Sequence, residues 1–451
     1  MRKAVFLIMA GVIAAAAAWA ARPWLIQVPA TPAGRHVEAY IKAFNAGEAA
    51  MGEFFAAHAD AGSLKQTPID ARLGRYRQMA GRLGKLELQK VLDAKPDLIS
   101  ALVRGANGFL VQMDFEFAPR EPFGLLGIRV MDTGEGAAAA DPKPDDAALV
   151  AAVQAHLEGL AARDEFSGAV LIAHNGKTLF EAAYGLADRD KKIPNRTSTK
   201  FNIGSINKSF TETAVRWLVA EGKLSLDDTI GKFLPDYPNK DAAAQVTVRH
   251  LLDMTSGIGD FFGERYQKSS KEKIRTLADY LPLFADEPLA FKPGERNRYS
   301  NGGFIVLGLI IAKASGMDYY DFVRERIYKP AGMTDSGSFA KDEAVSDRVL
   351  GYTKEDGLLK PNYDTLPGRG SSAGGGYSTL RDLLAYATAL KEGRLGNNPG
   401  GGMGIAGGAP GLNAALEWDA RNGYTIVVLA NLDPPAAGDV ALRIRSWLPR
   451  S

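Results

Sequence analysis

Two Asn-Gly dipeptides, Asn175-Gly176 and Asn422-Gly423, constrain this chain more than any other feature of its sequence. Each lies between two apolar runs: 168–174 and 178–184 around the first, 412–418 and 424–430 around the second. Asn and Gly tolerate the positive φ angles of a tight turn, so each dipeptide predicts a β-hairpin. A helical segment precedes the first hairpin over 147–163, and another follows the second over 436–447. Hairpins with a helix beside them at both ends of a long stretch are expected to pair in one antiparallel sheet. The middle between them is rich in Gly and Pro and mainly helical, with an apolar helix over 302–316, a second over 319–327, and helix and loop over 260–283. No internal repeat is visible.

A chain of 451 residues has room for two or three domains. Residues 35–132 read as a small α+β domain, with helices over 37–44, 51–59 and 69–80 and strands over 86–92, 98–105, 109–117 and 127–131. Helices followed by a meander suggest a curved sheet wrapped round a helix. His36 and His58 read as surface residues, and this segment reads as an accessory domain. Gly, Pro and Asp without apolar rhythm make 133–146 a linker, and the second domain runs over 147–451. At the start, Arg2-Lys3 precedes an uncharged, Ala-rich run ending in Ala18-Trp19-Ala20. Residues 1–20 are therefore expected to be a signal peptide or, if uncleaved, a membrane anchor, and 22–33 a linker. The protein is expected in the periplasm or secreted, with membrane association through the N-terminus as the alternative. A net charge of +2 without a basic stripe gives nucleic-acid binding no support. The absence of cysteine excludes disulfides and thiol catalysis.

Chemistry concentrates in Phe201-Asn-Ile-Gly-Ser-Ile-Asn-Lys-Ser-Phe210. Apolar residues at Ile206, Phe210, Ala214 and Leu218 predict a helix ended by Gly222, so Ser205 and Lys208 share a face one turn apart. A serine is a weak nucleophile until a base lies near it, and a lysine becomes a base once its pKa is lowered. Ser-x-x-Lys also occurs at Ser270/Lys273 and Ser338/Lys341, in charged or loop-like text where both pairs read as solvated surface. Tyr299-Ser300-Asn301 is a second constellation: a phenol able to hold a proton and an amide able to donate and accept. The third is the Gly-rich stretch 400–411, which leads into the 412–418 strand and lets backbone N–H groups approach a substrate.

Together these resemble the class C β-lactamase and penicillin-binding-protein-like serine hydrolases. Supporting text is Leu224-Ser-Leu-Asp-Asp-Thr-Ile-Gly-Lys-Phe-Leu-Pro235, Val246-Thr-Val-Arg-His-Leu-Leu-Asp-Met-Thr-Ser-Gly257, Phe291-Lys-Pro-Gly-Glu295, Lys329-Pro-Ala-Gly-Met333 and Ala373-Gly-Gly-Gly-Tyr-Ser-Thr379. The resemblance spans roughly 147–449 and implies an antiparallel sheet flanked by helices, with a helical subdomain and the site between them. It implies Ser205 as the acylated nucleophile, Lys208 and Tyr299 as the proton-handling pair, and Asn301, Gly407 and Gly408 as substrate-binding, with oxyanion N–H groups from Ser205 and Gly408. The 35–132 segment resembles the nuclear-transport-factor-like (SnoaL-like) cone fold. The implied activity is an exported serine hydrolase forming an acyl-enzyme with an ester, amide or β-lactam, on a small-molecule or peptidoglycan-like substrate, without cofactor or metal. The competing reading is a catalytically impaired relative that binds peptidoglycan or a protein partner.

One departure bears on substrate. The family carries Lys or His, a small residue and Gly at the third motif, where this chain has Ile405-Ala406-Gly407. The cation that would meet a substrate carboxylate is missing, which predicts a preference for neutral esters or amides; Arg369 is the candidate replacement. Gly370-Ser-Ser-Ala-Gly374 fits Gly-x-Ser-x-Gly, but that elbow needs a later histidine and the last of the five is His250.

Overall fold

The computed structural model describes Val28 and residues 31–448, apart from 96, 107, 109, 119, 121–122, 133–144, 397–401 and 420–421. The expected leader, and most of both expected linkers, lie outside the described residues. The chain divides into two compact units, residues 1–141 and 142–451.

The first unit is α+β. Helices α1 (Pro32–Ala46), α2 (Glu48–His58), α3 (Ala61–Gln66) and α4 (Ile69–Leu83) precede strands β1 (Leu86–Lys95), β2 (Leu98–Gly105), β3 (Leu110–Phe117) and β4 (Leu125–Asp132). The strands form one antiparallel meander in that order. Thr31 caps α1 by accepting from Gly34 N at 3.1 Å, so the last expected linker residues are already helix. Asn45 clips the end of α1 to β1 through two 2.7 Å bonds with the backbone of Leu86. Inward residues Ile99, Ala101, Val103, Val111, Met113 and Phe115 pack against Val37, Tyr40, Phe44 and Phe54 of the helices. His36 and His58, expected at the surface, are partly exposed. They are half-buried, Nδ1 to Nδ1 at 2.9 Å, and burial holds the pKa of His58 down.

The second unit is a five-stranded antiparallel sheet with helices on both faces. Its leading helix α5 (Asp146–Ala162) is capped by Asp145, which ends the expected linker. Strands β5 (Gly168–His174) and β6 (Lys177–Tyr184) form the first hairpin. Asn175 and Gly176 have φ of 50° and 80°, the paired positive values of a type I′ turn. At the far end come α8 (Leu380–Lys391), β7 (Gly402–Ala409), β8 (Leu412–Asp419), β9 (Tyr424–Ala430) and α9 (Ala436–Trp447), with helices α6 and α7 of the middle stretch given below. The sheet order is β7-β8-β9-β5-β6, so the two ends of the unit pair at its centre, as the sequence predicts. The two turns abut, with Asn175 N donating to Gly423 O at 3.0 Å.

In the second hairpin β8 ends at Asp419 and β9 begins at Tyr424, and Asn422 caps the return by accepting from Tyr424 N at 3.1 Å. The Gly-rich stretch is an edge strand in its own right and not a loop leading into one. Its own composition disfavours a strand; register with β8 from Gly402–Asp419 to Ala409–Leu412 imposes it. Every residue of β9 is buried. Val170, Ile172, Ile426 and Val428 face α5 and α9, while Ala169, Leu171, Val427 and Leu429 face the helical side. A strand covered on both faces reads as a continuous apolar run, as here.

Candidate active site

Ser205 is placed by backbone contacts before its helix begins. Phe201–Asn202 pairs antiparallel with Tyr377–Ser378, and Ile203 N donates to Gly376 O at 2.9 Å. Gly204 then takes φ of 49°, and Gly204–Ile206 make one 3₁₀ turn running into α6 (Asn207–Ala220). Ser205 thus lies two residues before the α-helix, not inside it. Ile206, Phe210, Ala214 and Leu218 pack into the core, as their spacing predicts. Lys208 leaves the helix from a different face, beside Ser205, and is also buried, at 6% exposure.

Lys208 Nζ lies 3.1 Å from Ser205 Oγ, 2.7 Å from Asn301 Oδ1 and 2.5 Å from Ala373 O. The Tyr299 hydroxyl lies 2.6 Å from Ser205 Oγ. Asn301 begins α7 (Asn301–Ser315), a helix apolar and largely buried from Gly302 to Ile311. Ser300 caps α7 by accepting from Gly303 N at 2.9 Å, which fixes Tyr299 and Asn301 on either side of the cap. The structure therefore brings Ser205, Lys208, Tyr299 and Asn301 within one hydrogen-bonded cluster.

Burial pulls the Lys208 amine down to about 7, against smaller upward pulls from the charges of Asp260 and Glu212. Tyr299 moves the other way. Loss of solvent around its phenol raises its pKa, partly offset by the bond to Ser205 and reinforced by Asp260. Tyr299 therefore stays protonated at neutral pH, while Lys208 is the group able to shed its proton there.

Asp260 escaped the sequence reading. Its Oδ2 accepts from Asn301 Nδ2 at 2.7 Å and from Asn301 N at 3.3 Å. This turns the Asn301 amide so that its oxygen, not its nitrogen, meets Lys208. No pattern around Asp260 signals this role, because Asn301 reaches it only in the folded chain. Asp260→Asn is expected to lower kcat roughly ten- to a hundredfold, the worth of a hydrogen bond to a charged group. It should also move the acid limb of the rate profile to lower pH, since the Asp260 charge holds the Lys208 pKa up. A pH series of kcat/KM on the variant checks both.

The Gly-rich edge strand closes the site. A Cβ on Gly407 would come 2.1 Å from Ile203 O and 2.9 Å from Ser205 N, and one on Gly204 would come 3.0 Å from Gly408 N. Bare backbone at these positions lets β7 lie against Ile203–Ser205. Asn413 Nδ2 donates to Gly407 O at 2.8 Å while its Oδ1 accepts from Ala437 N at 2.7 Å, tying β7 to the start of α9.

Two cavities meet at Ser205, Tyr299 and Gly408. One, about 680 Å³, is walled by aromatic rings including Phe261, Phe262, Tyr266 and Tyr377. The other, about 740 Å³, is lined by Lys208, Glu212, Arg216, Met403 and Ile405. Ile405, where the family has a cation, is therefore at the site. Arg369 does not replace that cation. Its guanidinium stacks 3.6 Å from the Tyr320 ring centroid, its Nε donates to Ser338 O at 2.6 Å, and it lines neither cavity. Gly370–Gly374 is a wall of the site and holds no nucleophile: Ser372 Oγ is spent on Phe304 O at 2.7 Å, and Ala373 supplies the carbonyl facing Lys208. Ser270 and Lys273 are exposed, but Lys341 is not solvated surface; its side chain is 7% exposed and lines the aromatic cavity. Among the described residues no cluster of three or more His, Asp or Glu is placed to hold a metal ion.

The family model described as Beta-lactamase matches residues 151–399. Penicillin-binding protein 4* of Bacillus subtilis is 36% identical over 258 residues, 53% of this chain and 55% of that protein. The chain thus spans about half the length of that curated relative. Among solved structures, a penicillin-binding protein from Bacillus halodurans superposes with a TM-score of 0.60 at 32% identity, covering 65% of this chain and 99% of its own. D-amino acid amidase from Ochrobactrum anthropi shares the fold at a TM-score of 0.56 and 24% identity, over 66% of this chain and 97% of its own.

Proposed function

The chain belongs to the Beta-lactamase family, a family of serine-hydrolase-type enzymes, and on that premise we propose that it hydrolyses, through an acyl-enzyme on Ser205, an ester or amide with no carboxylate beside the scissile bond. The observation that carries this reading is the set of three partners around one amine. Ala373 O and Asn301 Oδ1 are acceptors only, the latter because Asp260 fixes the amide. A neutral Lys208 gives its two N–H groups to them. Its lone pair then faces the third neighbour, Ser205 Oγ, which alone has a proton to give.

In the proposed mechanism Ser205 Oγ attacks the substrate carbonyl as its proton passes to Lys208 Nζ. Backbone N–H groups of Ser205 and Gly408 receive the developing oxyanion. Tyr299, protonated and 2.6 Å from Oγ, donates to the leaving group, and Lys208 returns its proton through the same network. Water then repeats the sequence on the acyl-enzyme, freeing the acid and restoring Ser205. Ile405 presents no charge to a carboxylate beside the scissile bond, and Arg216 on the same cavity wall is opposed by the neighbouring Glu212, which together support neutral groups there.

A fluorescent phosphonate is expected to label Ser205 stoichiometrically, and Ser205→Ala to abolish labelling while retaining the wild-type melting temperature. A fluorescent penicillin, with its carboxylate next to the reacting amide, is expected to label more slowly. Mass mapping of both adducts tests the reading. Faster turnover of a β-lactam than of a simple aryl ester overturns the neutral preference. No label from either reagent moves the chain to a binding role.

A further inference from the structure

The aromatic cavity carries three cations on its wall, Lys271, Lys341 and Arg348. Two of them are committed. Lys271 Nζ donates to Gln267 O at 2.7 Å and Ser269 O at 3.2 Å. Arg348 donates to the carbonyls of Ala340, Lys341 and Glu343 at 2.7, 2.8 and 3.0 Å. Lys341 differs: among the described residues its ammonium has no hydrogen-bond acceptor. Its neighbours are the Tyr363 ring, whose centroid lies 4.0 Å away, and one Asp364 oxygen at 3.9 Å. That Asp364 side chain is 99% exposed, whereas the Lys341 side chain is 7% exposed.

The covered part of the side chain is its stem, and the ammonium opens onto the cavity with no acceptor in reach among the described residues. Water-exposed Asp364 lies beyond hydrogen-bond distance and leaves that charge available to an anion. The residue is also held in place for a partner. Lys341 N donates to Gly368 O at 2.7 Å, and its carbonyl accepts from Arg348 and from the Tyr363 hydroxyl at 3.3 Å. Both ends of the peptide are pinned, which fixes where the side chain leaves the backbone.

We propose that Lys341 is an anion-recognising residue of the catalytic cavity, taking a carboxylate carried on a part of the substrate remote from the scissile bond. The proposal rests on the hydrolase reading above and deepens it. Charge recognition has left the edge strand, where Ile405 stands in one cavity, and lies across the nucleophile in the other. The substrate class is an ester or amide with an apolar or aromatic span between the reacting carbonyl and a terminal carboxylate. The aromatic walls cover that span, and the charge ends at Lys341.

Two matched pairs of esters test it in either orientation. For charge on the acyl side the pair is 4-nitrophenyl hydrogen suberate and 4-nitrophenyl octanoate. For charge on the alcohol side it is the acetate esters of 8-hydroxyoctanoic acid and of octan-1-ol. The wild-type enzyme is expected to favour the charged member of one pair in kcat/KM by roughly tenfold, mainly through KM. Lys341→Met should bring that ratio close to unity, and Lys341→Arg should keep most of it. The ratio is read within each variant, so a general loss of activity does not imitate the effect. No preference for the charged member in either pair, or a preference that survives Lys341→Met, overturns the proposal. Failure to hydrolyse any of the four esters sinks the hydrolase reading itself and this inference with it.

Discussion

Lys208→Met is expected to lower the rate of Ser205 acylation by roughly 10³- to 10⁴-fold, the upper range for a positioned general base. The variant keeps the helix and most of the side-chain volume but has no lone pair to face Ser205 Oγ. The wild-type pH profile carries the same claim. With the amine at about 7, kcat/KM should climb tenfold per pH unit below neutrality and level off above it. Tyr299 keeps its proton through this range, because its pKa is shifted upward. In Lys208→Met the limb near pH 7 should vanish.

Stability supplies a control with the opposite sign. In the folded chain Lys208 loses its proton near pH 7, whereas unfolded it holds one to about 10.5. The unfolded state therefore binds more protons between those values, so stability rises with pH across that window. Below about pH 7 the full cost of burying the charge is present. Lys208→Met removes this cost, so at pH 6 the variant should melt at or above the wild-type temperature while being nearly inactive. A variant that melts far lower would show that Lys208 is structural, and the lost activity would then say nothing of a base. Stopped-flow acylation and thermal melts at pH 6 and 9 give both readouts.

Gly407→Ala is the second large effect. The new methyl would sit 2.1 Å from Ile203 O, a distance no Cβ tolerates, and the atom it meets is backbone. Strand β7 must move away from Ser205, and with it the Gly408 N–H proposed as one oxyanion donor. Loss of one such donor costs roughly 10²- to 10³-fold in kcat. Because an oxyanion forms only after attack, KM should change little. The rate of phosphonate inactivation should fall with kcat, since that adduct mimics the tetrahedral state. An equal rise in KM would mean that the strand holds the ground-state substrate instead.

That Ser205 and Lys208 lie side by side was legible because chemistry and helical rhythm coincide there; Tyr299 could be placed beside them only through the family resemblance. The 3.6-residue spacing of Ile206, Phe210 and Ala214 announces the helix, and the same spacing sets Lys208 beside Ser205. Asp260 was not legible. It lies 41 positions from Asn301, and a carboxylate that orients a remote amide leaves no local trace. Lys341 was misread for a related reason. Its sequence surroundings are polar, and only the wall formed by Tyr363 and Gly368 buries it. Arg369 failed as a replacement cation because Tyr320 and the Ser338 carbonyl hold it away from both cavities.

The local order of the chain alone determined the hairpin at Asn175-Gly176, the closing helix, the central apolar strands and the Ser205/Lys208 face. Each rests on short-range sterics or a repeat of apolar residues, and both are written within about a dozen positions. The tertiary structure decided what each of those groups experiences. Burial lowered the Lys208 amine, and an aspartate turned an amide. A glycine run became a strand because β8 lay ready to pair with it. Such outcomes depend on desolvation and on contacts between distant segments, and only a closed core creates either.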